Sequence, residues 1–301
     1  MAQSEVTFVG VDDQRRARRK WPLPGHTALR AQLFLCHGTH EHSGRYDALA
    51  LACGEAGIEM LAVDFRGHGL SAGARGDFGT LEGAIGDVVD LVVSSSVRRV
   101  PIIILGHSLG SMVAFLTAHR LAMDPALPTP SMAVITGFAM DSVSPPFGFK
   151  SLIPVLEKVP SAIRAICSQL AKVNPMGPAC PLPRPNELTS FGDRAAEKLT
   201  DPLMYHGWIQ NRTALALLDA RAGCQALLPA FGAAFPFLVV HGGADSLCPR
   251  SAADSLMAAS PQRDKELKVL PGLLHEVLDS PAARKHVAEW CKARLEPRSR
   301  L

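Results

Sequence analysis

The 301-residue chain is 47% hydrophobic and 20% charged, with a formal net charge of +3. Such a chain can bury one large core and carry an insertion, but its small charge, with no basic stripe between aromatics, excludes a nucleic-acid partner. Seven scattered cysteines, odd in number and without a Cys-x-x-Cys pair, exclude a disulfide scaffold or zinc knuckle and fit a reduced, cytoplasmic setting. No signal-like leader and no bilayer-length apolar run is visible.

Val6 to Val11 alternates weakly and stops at the turn pair Asp12-Asp13. The basic run Arg15 to Lys20 then reads as the solvated second strand of a hairpin, with Trp21 packing inward. Ala31 to Cys36 is a buried-strand run ending in His37-Gly38-Thr39-His40-Glu41-His42. His40 and His42 alternate without the i, i+4 face of a helical metal site, so no metal is expected here. A helix is expected over Tyr46 to Gly54 and a strand over Ile58 to Val63. A tight, polar, Gly-rich loop follows from Asp64 to Ser71, then an amphipathic helix from Leu81 to Val93.

Val100 to Leu105 is a short β-branched run that breaks at Gly106-His107-Ser108-Leu109-Gly110, and a helical stretch follows from Met112 to Leu121. Met132 to Phe138 is another buried strand. Strand and helix alternate throughout, which predicts an α/β fold: a mostly parallel central sheet with helices on both faces. Ligands then gather at the carboxyl ends of the strands.

The alternation breaks at Asp141, and Ser142 to Tyr205 holds no convincing strand. Phe149 to Val173 sets Leu152, Ile153, Leu156, Val159, Ile163, Ile166 and Leu170 at helical spacing, divided at Pro154 and Pro160. Asn174 to Pro185 is proline-rich and loop-like. This region is expected to be an inserted helical cap (142–204) between two parts of one core (1–141 and 205–301), enclosing an apolar tunnel and touching a lipid surface peripherally. The core resumes with a helix over Leu215 to Leu228, a strand over Phe235 to Val240 and a helix over Ser251 to Ala259. A strand over Leu267 to Leu270 and a helix over Pro281 to Leu295 end it.

Three residues stand just beyond expected strands: Ser108, Asp245 and His275. A Gly-x-Ser-x-Gly turn between strand and helix is a nucleophile elbow, with glycines where side chains would collide. Serine is a weak nucleophile until a base takes its proton. His275 has the ordinary pKa for that work, and Asp245 would fix its tautomer and stabilise the imidazolium. The order serine, acid, histidine belongs to this architecture. The backbone N–H groups of Thr39 and Leu109 would hold an oxyanion, aided by the helix N-terminus. No cofactor is called for.

In these stretches the chain resembles the α/β-hydrolases of the monoacylglycerol lipase and lysophospholipase group. The resemblance rests on Glu41-His42-Ser43-Gly44-Arg45-Tyr46, the Gly-His-Gly-x-Ser of Asp64 to Gly73, the elbow, Asp201-Pro202-Leu203, Gly243-Ala244-Asp245 to Cys248, and His275. It implies hydrolysis of single-chain lipid esters through an acyl-enzyme, a mobile cap and peripheral membrane contact. It also implies His40, Glu41, Arg45 and Cys248 as pocket residues. His40 and Ser111 stand where the group usually has glycine, and Pro175 to Glu197 matches it poorly.

Monoacylglycerol is the first expected substrate, with lysophospholipid and simple carboxylic esters next, and acyl transfer to an alcohol as a variant. A peptidase of the same fold would need an acidic pocket for a substrate amine, and the cap offers Glu157, Asp193 and Glu197. A non-catalytic ligand-binding protein would commonly have lost a triad member, and this chain keeps all three.

Overall fold

The computed structural model describes residues 4–140, 160–181 and 183–296. Leu152, Ile153, Leu156, Glu157 and Val159 of the expected cap lie outside them. The chain begins with β1 (Glu5–Val9), β2 (Arg16–Trp21), β3 (Ala31–Cys36), α1 (Asp47–Glu55) and β4 (Ile58–Val63). It continues through α2 (Leu81–Ser95), β5 (Ile102–His107), α3 (Leu109–Met123) and β6 (Met132–Thr136). Next come α4 (Pro160–Val173), β7 (Pro178–Cys180), α5 (Pro185–Leu188), α6 (Gly192–Thr200) and β8 (Ile209–Gln210). The alternation then returns as α7 (Asn211–Leu227), β9 (Phe237–Gly242), α8 (Ser251–Ala259), β10 (Lys265–Leu270) and α9 (Pro281–Leu295).

The main sheet runs β1-β2-β4-β3-β5-β6-β9-β10. Both pairings of β2 are antiparallel, and all pairings from β4 to β10 are parallel. Strands β3, β4, β5, β6 and β9 are buried along their length, because helices cover both faces. That is why their sequences are apolar runs and not alternations. On one face Phe115 of α3 and Phe231 stack at 3.9 Å within a core that includes Phe34 and Phe237. On the other, Trp21, Leu49 and Trp290 pack with β3 and β4 side chains. Each such large side chain contributes about 1.5–3 kcal/mol over its exposed state.

The chain leaves β3 toward β4 on one side and later enters β5 on the other. This reversal opens a crevice at the carboxyl ends of β3 and β5. The loop 37–46 and the elbow both lie there.

Two expectations need correction. The basic strand β2 is not simply solvated: Arg16 and Ala17 are buried. Arg16 Nε lies 2.7 Å from Asp87, and Lys20 Nζ lies 2.9 Å from Glu59, so these cations are tied to the core helix and sheet. The region after Asp141 also contains a strand, β7, which pairs antiparallel with β8. Three residues beginning at a proline leave no period-two pattern to read.

Candidate active site

Ser108 sits between β5 and α3 with φ 55° and ψ −125°. A non-glycine residue with positive φ is strained, and the turn holds it by contacts on both sides. A Cβ on Gly106 would overlap the Gly110 carbonyl, and one on Gly110 would overlap the carbonyls of Cys36 and His37. The glycines therefore allow α3 to cross β3 and β5 at contact distance. Ser111, the departure from glycine, is accommodated because its hydroxyl donates to the Ser108 carbonyl at 2.5 Å. Leu109 is the first residue of α3, where a backbone N–H has no partner inside the helix. The loop carrying Thr39 abuts the nucleophile: a Cβ on Gly38 would lie 3.2 Å from Ser108 Cβ.

Asp245 and His275 come to the same edge on the turns after β9 and β10. His275 Nδ1 lies 2.8 Å from Asp245 Oδ2, so it is the protonated nitrogen that donates to the carboxylate. Asp245 Oδ1 accepts from the backbone N–H of Leu247 and of Cys248, each at 3.0 Å. Burial raises the Asp245 pKa, but the His275 hydrogen bond and charge outweigh it and hold the carboxyl below its ordinary value. Burial lowers that of His275, but Cys248 and Asp245 overcome this and lift the imidazole to about 10. The Cys248 part of that lift exists only while its thiol is ionised.

Ser108 and His275 open into a cavity of about 320 Å³, with Asp245 behind the histidine. Thr39, His40, Glu41, Ser108, Cys248 and His275 all line it. So do apolar residues absent from the sequence expectation, among them Leu188, Leu199, Met204, Trp208, Leu217 and Leu247. Arg45 does not line this cavity; it reaches it through Glu41, with Nε 3.3 Å from Glu41 Oε2. Glu41 Oε1 also accepts from Gly38 N–H at 2.5 Å and Tyr46 O–H at 2.6 Å. Glu41 thus braces the Gly38-Thr39 loop. Asp193 and Glu197 do not line the cavity; among the described residues its carboxylates are Glu41 and Glu276, and Glu157 lies outside them. His107, Lys198 and Glu276 were missed from sequence, and all three line it.

His37 and His42 have structural work. His37 Nε2 accepts from Phe65 N–H at 3.0 Å, and its Nδ1 donates to the Gly38 carbonyl at 2.8 Å. His42 Nε2 donates to Asp201 at 2.8 Å, which anchors the segment returning from the cap. His40 has φ 65°, and burial lowers its pKa to about 3. Among the described residues, Asp245, Cys248 and His275 place metal-ligand atoms within 4.8 Å of one another. The Asp245–His275 hydrogen bond already joins two of them, an arrangement suited to proton transfer.

The fold and the elbow define an α/β-hydrolase. Residues 27–281 match the family described as serine aminopeptidase, S33, and the chain belongs to that family. It is 31% identical to a monoacylglycerol lipase of Mycolicibacterium smegmatis, across 97% of this chain and 98% of that one. It is 29% identical to a monoglyceride lipase of Rattus norvegicus, across 89% of this chain and 82% of that one. The fold is shared with the Paleococcus ferrophilus monoacylglycerol lipase at TM-score 0.76 and 22% identity, over 92% and 98% of the two chains. It is shared too with a soluble variant of the Saccharomyces cerevisiae monoglyceride lipase, at TM-score 0.78 and 19% identity, over 97% and 94%.

Proposed function

We propose that the protein hydrolyses monoacylglycerol to fatty acid and glycerol through an acyl-enzyme on Ser108. The observation that carries this reading is that His275, paired with Asp245, lines the same largely apolar cavity as Ser108. Its relatives named as monoacylglycerol lipases supply the substrate class. His275 takes the Ser108 proton as the hydroxyl attacks the ester carbonyl, then gives it to the departing glycerol oxygen. Backbone N–H groups of Thr39 and Leu109 hold the oxyanion. Water, activated by the same histidine, releases the fatty acid.

The family description raises an aminopeptidase as the second reading. A substrate ammonium would need an unbalanced carboxylate. Glu41 and Glu276 line the cavity, but Arg45 and Lys198 already balance them. This favours a neutral, hydroxylated headgroup, which also ranks lysophospholipids below monoacylglycerols.

Release of glycerol from monooleoylglycerol by wild type and Ser108→Ala tests the proposal. Loss of a triad nucleophile costs on the order of a million-fold in turnover, about 8 kcal/mol of transition-state stabilisation. Wild-type protein should also take a fluorophosphonate label that the variant refuses. Faster release of aminoacyl amides than of glycerol would overturn the substrate.

No helix among the described residues is long and apolar enough to cross a membrane. We propose that α4 meets the bilayer surface instead. Ile166, Leu170 and Val173 recur at helical spacing and are 57%, 47% and 84% exposed. Changing Ile166 and Leu170 together to Ser should lower co-flotation with phosphatidylcholine vesicles several-fold, and unchanged flotation would reject this face.

A further inference from the structure

The segment of α5 and α6 is stitched to the loop that carries His275. Leu274 N–H donates to Ser190 Oγ at 2.9 Å, and Glu276 N–H donates to the Leu188 carbonyl at 2.8 Å. Arg194 Nε donates to Asp279 at 3.1 Å. Lys198 of α6 forms an ion pair with Glu276 Oε1, and its side chain is only 3% exposed. The other Glu276 oxygen lies 3.2 Å from Nε2 of His107, the residue before the nucleophile. The His107 ring in turn lies 4.9 Å, centroid to centroid, from the ring of His275. One carboxylate therefore touches the cap and the elbow, and through the tilted His107 ring it neighbours the candidate base.

A buried ion pair is poor evidence for stability, because desolvation consumes most of its Coulomb energy. Its use must lie in what it holds. We propose that Glu276, balanced by Lys198, is a positioning residue that clamps His107 against His275, so that residues 185–200 are a fixed mounting for the base and not a swinging flap. The inference rests on the Ser108–His275–Asp245 reading.

The charges around this cluster make the proposal testable by sign. Glu276 is faced by Lys198 from α6, by His107 from the elbow, and by Glu41, Arg45 and Tyr46 from the loop after β3. His275 is faced by Asp245, Cys248, His241 and Glu276. Negative charge at Glu276 favours the protonated imidazole, and positive charge at Lys198 opposes it. Hydrolysis needs the neutral imidazole, so the acid limb of the pH profile of kcat/KM reports the His275 ionisation.

The experiment measures that limb with a neutral p-nitrophenyl ester. Lys198→Met leaves Glu276 uncompensated and should move the limb up by about one pH unit. Glu276→Gln removes the anion and should move it down by a similar amount. Joining the two changes, or replacing Lys198 by Arg, should bring it back near the wild-type position. In the single variants kcat should fall about ten- to a hundred-fold, with KM less affected, as a displaced base predicts. General loosening of the fold would not shift the limb in opposite directions from two ends of one ion pair. Shifts of the same sign, or none, would overturn the proposal. Should a single variant fail to fold by circular dichroism, kcat of Lys198→Arg and of the double variant decides: near wild type in Lys198→Arg but about ten- to a hundred-fold low in the double variant, which has lost Glu276, upholds the clamp, and any other pair of values rejects it. Fluorophosphonate labelling of Ser108 in the same samples separates this failure from failure of the triad reading, since labelling that survives in Ser108→Ala would reject the triad itself.

Discussion

The elbow and the α5–α6 segment hold the site from opposite sides, by different means. At the elbow the positions follow from main-chain geometry: Ser108 at φ 55° is fixed where α3 crosses β3 and β5 without side chains at Gly106 and Gly110. On the cap side, main-chain hydrogen bonds to Leu188 and Ser190 are joined by side-chain charges, Lys198 to Glu276 and Arg194 to Asp279. Steric fixation is indifferent to pH and salt. Fixation by charge is sensitive to every titratable neighbour, even where burial screens it from salt. The nucleophile is therefore mounted rigidly, and its base is mounted tunably.

The sharpest way to break this contrast is at the elbow. Gly110→Ala places a methyl on the carbonyls of Cys36 and His37, neither of which can move without parting β3 from the sheet. Overpacking in a core costs about 1–3 kcal/mol and more where backbone must shift. The expected outcome is a lower melting temperature and the loss of nearly all fluorophosphonate labelling. A variant with normal melting and normal labelling would show that the crossing has slack.

This contrast also explains what was legible in the sequence. Ser108 and Asp245 follow buried strands and His275 a half-buried one, and all three sit in or beside glycine-containing turns, so local signals mark them. The parallel sheet was legible for the same reason, since strands such as Ile58–Val63 are apolar at every position but one, Glu59. Lys198 and Glu276 are 78 residues apart, and neither occupies a periodic position or a turn motif. An ion pair leaves no local pattern. One signal was available: Glu276 adjoins the histidine, where a buried carboxylate needs a cation. Arg45 shows the same limit, since it was expected in the pocket and instead stands behind Glu41, outside the cavity wall.

A second prediction sharpens the difference between the apolar and charged parts of the cavity. Each methylene buried against residues such as Leu217 and Leu247 contributes about 0.8 kcal/mol, while a hydroxyl exchanging water for Glu41 gains little net. Activity on monoacyl esters should rise several-fold per pair of methylenes from acetyl to decanoyl, until the cavity is filled. Triacylglycerols should be poor substrates, because the cavity of about 320 Å³ has no room for three chains. A flat dependence of kcat/KM on chain length would assign binding to the headgroup instead.

The smallest effect is the most informative about the base. Cys248 is buried beside His275 and donates its backbone N–H to Asp245 at 3.0 Å. Burial lowers the His275 pKa, yet Cys248 and Asp245 together carry it to about 10. With the thiol ionised, the pair is an imidazolium–thiolate, and the imidazole stays protonated to high pH. With the thiol neutral, only Asp245 opposes burial. Replacing Cys248 by Ser removes the group that can ionise while leaving the backbone bond to Asp245. The folded-state pKa of His275 should then fall. Because the neutral imidazole is the active form, the acid limb of kcat/KM should move to lower pH, the direction also expected of Glu276→Gln. In the combined variant the limb should lie lower than in either single one, and because both groups act on one ring the two displacements need not add. An acid limb unmoved by Cys248→Ser would show that the thiol stays neutral across the working range. Cys248 would then act only as a small apolar wall of the cavity, and the tuning of His275 would belong to Asp245 and Glu276.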